Sequence, residues 1–116
     1  MRAKFLRAAL PAVVAVTACV VFPQVASAGG KSADCSTPSC ELGADIQGTT
    51  TFHVDFDVHG SGEARWTVSG PRGYVCTDRF RAEDPPRSVT CVNYPTGHYT
   101  AKVEGPQGPS NIGLRW

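Results

Sequence analysis

Thr51-Phe52-His53-Val54-Asp55-Phe56-Asp57-Val58-His59 alternates apolar and polar residues with a period of two. Successive side chains of an extended strand point to opposite faces. Phe52, Val54, Phe56 and Val58 therefore share one face, and His53, Asp55, Asp57 and His59 the other. After Gly60-Ser61-Gly62 the alternation resumes in Glu63-Ala64-Arg65-Trp66-Thr67-Val68-Ser69. A three-residue hairpin loop sets His59 opposite Glu63, Val58 opposite Ala64, Asp57 opposite Arg65, Phe56 opposite Trp66 and Val54 opposite Val68. A two-residue loop would set Phe56 against Arg65, so the three-residue register is the expected one.

The same punctuation continues downstream. Gly70-Pro71-Arg72-Gly73 has Pro where φ must be about −65° and Gly where φ can be positive, and the turn predicts Val68 opposite Tyr74 and Trp66 opposite Cys76. Asp84-Pro85-Pro86-Arg87 predicts a rigid exposed connection, and Ser88–Val92 a short strand carrying Cys91. Tyr94-Pro95-Thr96-Gly97 leads into a strand whose Tyr99, Ala101 and Val103 face inward. Gly105-Pro106-Gln107-Gly108-Pro109 reads as a loop before a last strand with alternating Ile112, Leu114 and Trp116. No window shows a 3.6-residue period. The pattern is all-β, and six or seven strands suffice for a small antiparallel β-sandwich.

Upstream, the chain changes character. Arg2, Lys4 and Arg7 precede an apolar run, Ala8–Phe22, and Val25-Ala26-Ser27-Ala28 ends on small residues. This is the layout of a secretory signal peptide over 1–28, cleaved between Ala28 and Gly29. The run is fifteen residues long and holds Pro11, against about twenty for a membrane-spanning helix, so no permanent membrane span is expected. Val16-Thr17-Ala18-Cys19 also resembles a bacterial lipobox, which would leave Cys19 lipidated, but Val20-Val21-Phe22 continues the same apolar region. Removing 28 of 116 residues leaves 88. All ten acids and eight of the eleven bases follow residue 28, so the net charge falls from +1 to −2. Such a chain excludes multidomain enzymes, channels and binding through a strong basic field. Residues 29–48, rich in Gly, Ser and Asp, are expected to be a loop-like lead-in to a 49–116 domain.

Four cysteines stay in the exported chain: Cys35, Cys40, Cys76 and Cys91. An even count in a short exported chain reads as disulfides. Of the three connectivities, Cys35–Cys40 with Cys76–Cys91 joins the nearest neighbours in sequence and is the expected one. The spacings, four, thirty-five and fourteen residues between successive cysteines, lack the paired knuckles of a zinc site.

Gly62 to Gly73, a strand followed by a Pro-x-Gly turn, and Pro95 to Val103, a turn followed by Gly-x-Tyr-x-x-x-Val, resemble the small β-sandwich modules of secreted bacterial proteins. These include the immunoglobulin-like domains and the domains appended to secreted peptidases. The resemblance implies the architecture and a non-catalytic, accessory or binding role without a named ligand; no cofactor is expected. The immunoglobulin order is Cys, Trp, Cys, whereas Trp66 here precedes both Cys76 and Cys91.

Two surfaces are candidates for chemistry. His53, Asp55, Asp57 and His59 stand about 6.5–7 Å apart along one strand face, close enough for adjacent pairs to share a divalent metal. The simpler role is a solvated face, with Glu63 and Arg65 pairing across the hairpin. The segment 77–90 is the longest irregular feature after the lead-in, and Tyr74, Arg79, Phe80, Arg81, Arg87 and Tyr94 are its candidate binding residues. Its arginines, with Arg72, are interleaved with Asp78, Glu83 and Asp84, which argues against a nucleic-acid partner. Gly-x-Ser-x-Gly and His-Glu-x-x-His are absent. The expected function is therefore non-catalytic: a secreted protein that binds an extracellular protein or a cell-wall polysaccharide. The alternative is a small secreted metalloprotein or enzyme using the His53–His59 face.

Overall fold

The computed structural model describes residues 29–116. The expected signal peptide and Cys19 lie outside the described residues. Eight strands follow in order: β1 (Gly30–Cys35), β2 (Ser39–Ile46), β3 (Phe52–His59), β4 (Glu63–Ser69), β5 (Val75–Arg81), β6 (Arg87–Cys91), β7 (Gly97–Glu104) and β8 (Gln107–Arg115). They form two four-stranded sheets, β1-β8-β3-β6 and β2-β7-β4-β5. Every pairing is antiparallel.

The core lies between the sheets and follows the alternation. β3 buries Phe52, Val54, Phe56 and Val58; β4 buries Ala64, Trp66 and Val68; β7 buries Tyr99, Ala101 and Val103; β8 buries Ile112 and Leu114. Each large apolar side chain buried this way contributes about 1.5–3 kcal/mol.

The neighbours of β3 and β4 differ from expectation. β3 pairs with β6 and β8, β4 with β5 and β7, and the two lie in different sheets. The expected pairs His59/Glu63 and Asp57/Arg65 do not form: Asp57 stands opposite Asn111, and Glu63 opposite Arg81. Phe56 still meets Trp66, with ring centroids 5.6 Å apart, but across the sandwich. Gly60 (φ 93°) and Gly62 (φ 121°) take backbone angles that favour glycine, and the chain crosses between sheets there. Both peptide groups of Gly62 are bound by the β5–β6 turn: Ala82 N donates to its carbonyl at 2.8 Å, and its N–H donates to Glu83 Oε1 at 3.0 Å.

Residues 29–48 are not a lead-in. They supply β1 and β2, one edge strand for each sheet, and bring the count to eight rather than six or seven. The alternation Cys40, Leu42, Ala44, Ile46 is fully buried. β4–β5 is a true hairpin, shifted two residues from the expected register: Val68 faces Cys76 and Trp66 faces Asp78. The turn is longer because Tyr74 N bonds Pro71 O and Gly70 N bonds Tyr74 O. A shift of two keeps every side chain on its own face. β8 begins at Gln107, inside the expected loop, and its register with β3 shifts between Val58 and His59.

Both expected disulfides form, Cys35–Cys40 and Cys76–Cys91. The first joins β1 to β2 and the second joins β5 to β6, so each ties an outermost strand of one sheet to an outermost strand of the other. The sandwich is clasped along both open sides. The sixteen-residue loop closed by Cys76–Cys91 is worth about 3 kcal/mol. Such disulfides suit an oxidising environment. Among the described residues no helix is long and apolar enough to cross a membrane.

Candidate functional site

Exposed apolar residues flank the Cys76–Cys91 bridge, and Tyr74 with Val75 forms one corner. Tyr74 and Val75, at the end of the Pro71–Gly73 turn, are 43% and 47% exposed, and Val92, next to the bridged Cys91, is 54% exposed. Arg72 adopts φ 55° and Gly73 φ 79°, which swings the chain outward before β5 begins. Arg72 places its guanidinium 5.9 Å from the Tyr74 ring centroid.

The corner is anchored from below. Tyr74 meets Tyr94 edge-on at 5.9 Å, Tyr94 meets Phe52 at 5.5 Å, and Phe52 meets Tyr99 at 5.1 Å. A chain of rings thus runs from the surface to a fully buried tyrosine. The Tyr94 hydroxyl donates to Val75 O at 3.1 Å, and its N–H donates to Thr50 O at 3.0 Å. The Tyr99 hydroxyl donates to Pro95 O, and burial pushes its pKa up. Gly70 passes so close beneath Tyr99 that a Cβ there would enter the ring. The turn carrying Tyr74 therefore sits on fixed supports.

Of the six binding candidates, the structure unites only Tyr74 and Tyr94. Phe80 belongs to the core: it is 7% exposed, with its ring 4.6 Å from Phe56. The 77–90 segment is mostly strand, and period two turns Phe80 inward while Arg79 and Arg81 face outward. Arg79 pairs with Glu63 at 3.1 Å and Arg81 with Glu83 at 3.0 Å on the outer face of the second sheet. Arg87 starts β6 in the other sheet. Arg72 and Val75 complete the corner and are not among the residues expected from the sequence. The signal for Val75 was its parity: it lies one residue from a cysteine that faces inward.

The His53–His59 row lies on the outer face of β3, flanked by β8 and β6. Asp55 accepts two bonds from Arg115, at 2.6 and 2.8 Å, and Arg115 also reaches Ser88 Oγ at 2.8 Å. The Arg115 guanidinium holds the Asp55 carboxyl below its ordinary range, with burial opposing. His53 Nδ1 is 3.0 Å from Thr90 Oγ1. Among the described residues no three His, Cys, Asp or Glu side chains come together as a metal site. His98 stands on an exposed strand face with Nδ1 2.8 Å from Asp45.

The chain matches no family model and no curated protein.

Proposed function

We propose that this protein is a secreted, non-catalytic binding module that engages an extracellular protein or a cell-wall glycan through the Tyr74 corner. The observation that carries the reading is the exposed Tyr74–Val75 pair, backed by Tyr94 and flanked by Arg72 on a disulfide-tied edge. Tyrosine and arginine on a preorganised support are the residues that dominate recognition hot spots. The Tyr99 hydroxyl bonded to a carbonyl four residues upstream resembles the tyrosine corner of immunoglobulin-like sandwiches, which supports kinship with those modules. Cleavage after Ala28 and release of a soluble chain belong to the same reading.

The His53–His59 row offers less to a metal or a reaction, because its Asp55 is committed to Arg115 and its His53 to Thr90. The test is retention of secreted proteins and cell-wall fragments by the immobilised chain from Gly29 onward. Tyr74→Ser with Val75→Thr is expected to lower retention about tenfold or more at an unchanged melting temperature. Equal retention by the folded double variant overturns the proposal.

A further inference from the structure

We propose that the free edge of β2 is a strand-addition site for an extended segment of a basic partner protein. The two sheets have four edge strands, β1, β6, β2 and β5, and three of them are guarded. Lys31 on β1 stands opposite buried Leu114, Asp78 on β5 opposite buried Trp66, and Arg87 on β6 opposite buried Phe56. Each sets a charge on the inward row of its edge, which an added strand would have to bury; proteins use this device to block edge pairing. β5 is guarded twice. Asp78 Oδ1 accepts from Arg79 N at 2.8 Å, Asp84 Oδ2 from Arg81 N at 3.4 Å, and Val75 O is taken by the Tyr94 hydroxyl.

β2 sets no charge on its inward row. Its inward row is Cys40, Leu42, Ala44 and Ile46, every one buried, and its eight residues pair with β7 without a register shift. It contains no Pro and no Lys. The phase of its backbone follows from the adjoining pair, where Gly105 N donates to Pro38 O at 3.0 Å. Antiparallel residues alternate between bonding the neighbour and facing away. The even-numbered residues of β2 therefore bond β7, and the peptide groups of Ser39, Glu41, Gly43 and Asp45 face the open side. Ser39 O is taken by the Thr37 hydroxyl at 2.8 Å. Glu41, Gly43 and Asp45 present the continuous template.

Charge selects the occupant. The exposed outer row of this template carries two carboxylates four residues apart, Glu41 and Asp45, with Gly43 between. Asp45 has an exposed partner in His98, whose Nδ1 lies 2.8 Å away, which an incoming cation would join; Lys102, opposite Glu41, bonds Glu104 instead at 3.1 Å. A strand with Lys or Arg at positions i and i+4 would set a cation beside each acid, and opposite charges across strands are favourable. Two copies of β2 would crowd four acids together, which disfavours self-pairing. Main-chain bonds supply affinity in strand addition, and alternate side chains supply selectivity.

The site lies on the opposite edge of its sheet from β5 and the Tyr74 corner, so the two readings stand or fall separately. The probe is the capped peptide Thr-Lys-Val-Thr-Val-Lys-Val-Thr, with a Glu-for-Lys version and an N-methylated version as controls. Binding is followed by NMR and amide exchange on the chain from Gly29 onward. The Lys peptide is expected to slow exchange of the Glu41, Gly43 and Asp45 amides about tenfold or more. The Glu and N-methylated peptides are expected to have no effect, and Tyr74→Ser is expected to leave peptide binding unchanged. E41K/D45K is expected to exchange the preference from the Lys to the Glu peptide; should it not fold, the three peptides on the parent chain decide. Equal response to the Lys and Glu peptides overturns the proposal. So does protection at β1, β5 or β6 instead, protection of β2 by self-association without peptide, or no response from a folded chain.

Discussion

Glu83 binds three donors from two directions: Gly62 N at 3.0 Å, and Arg81 Nε and Nη2 at 3.1 and 3.0 Å. The Gly62 amide is the main cause that holds its pKa at about 2, against 4.5 for an ordinary glutamate. A carboxyl depressed by folding favours the native state above its unfolded pKa and loses that contribution as pH falls through its folded value. The parent chain is therefore expected to lose stability between about pH 4.5 and 2, with Asp55 acting in the same direction. Glu83→Gln is expected to flatten part of that slope in urea titrations at stepped pH. The buried end of the ring chain gives a larger effect. Gly70→Ala would drive a methyl into Tyr99 and is expected to cost about 1–3 kcal/mol, measured by denaturant midpoint. Parity was legible at this scale: nearly every residue assigned inward from alternation is buried. Phe80 is in the core because the segment expected to be irregular is strand, whose alternation sets Arg79-Phe80-Arg81 out, in, out.

Between β3 and β4, period two told which side each residue faces but not which strand lies beside it. Phe56 opposite Trp66 in a hairpin and Phe56 stacked on Trp66 across two layers leave the same mark on the sequence. The two glycines of the connection allow either path, and the bonds to Gly62 from Ala82 and Glu83 favour the crossing. Those partners lie about twenty residues downstream, beyond the reach of local pattern. β1 and β2 are faint in the sequence for another reason. Short, small and charged residues suit edge strands but weaken the strand signal, although Cys40-x-Leu42-x-Ala44-x-Ile46 carried it. The disulfides were legible as sequence neighbours, yet their role as clasps between sheets required the topology. Cys76→Ser with Cys91→Ser is expected to cost about 2–4 kcal/mol in chemical denaturation.

For the molecule as a whole, the first described strand pairs with the last: Gly30 lies opposite Arg115 and Cys35 opposite Ser110. Contacts of such sequence separation close large loops, so folding is expected in milliseconds to seconds by stopped-flow fluorescence of Trp66 and Trp116. A chain starting at Ser39 would lose β1 and one clasp, and is expected to melt well below the chain from Gly29 in calorimetry. A true lead-in could be removed without that loss. The corner at Tyr74 and the edge at β2 flank one sheet, whose order fixes their separation. The clasp at Cys35–Cys40 also has a mechanical consequence. Gly29 and Trp116 bond each other at one end of the β1–β8 pair, so tension applied there opens the pair like a zipper, one rung at a time. At Cys35 the zipper meets a covalent stop, and the load passes through sulfur to β2 in the opposite sheet. In an oxidised chain, tugging on the first strand thus recruits both layers to resist; reduction would let the opening run on.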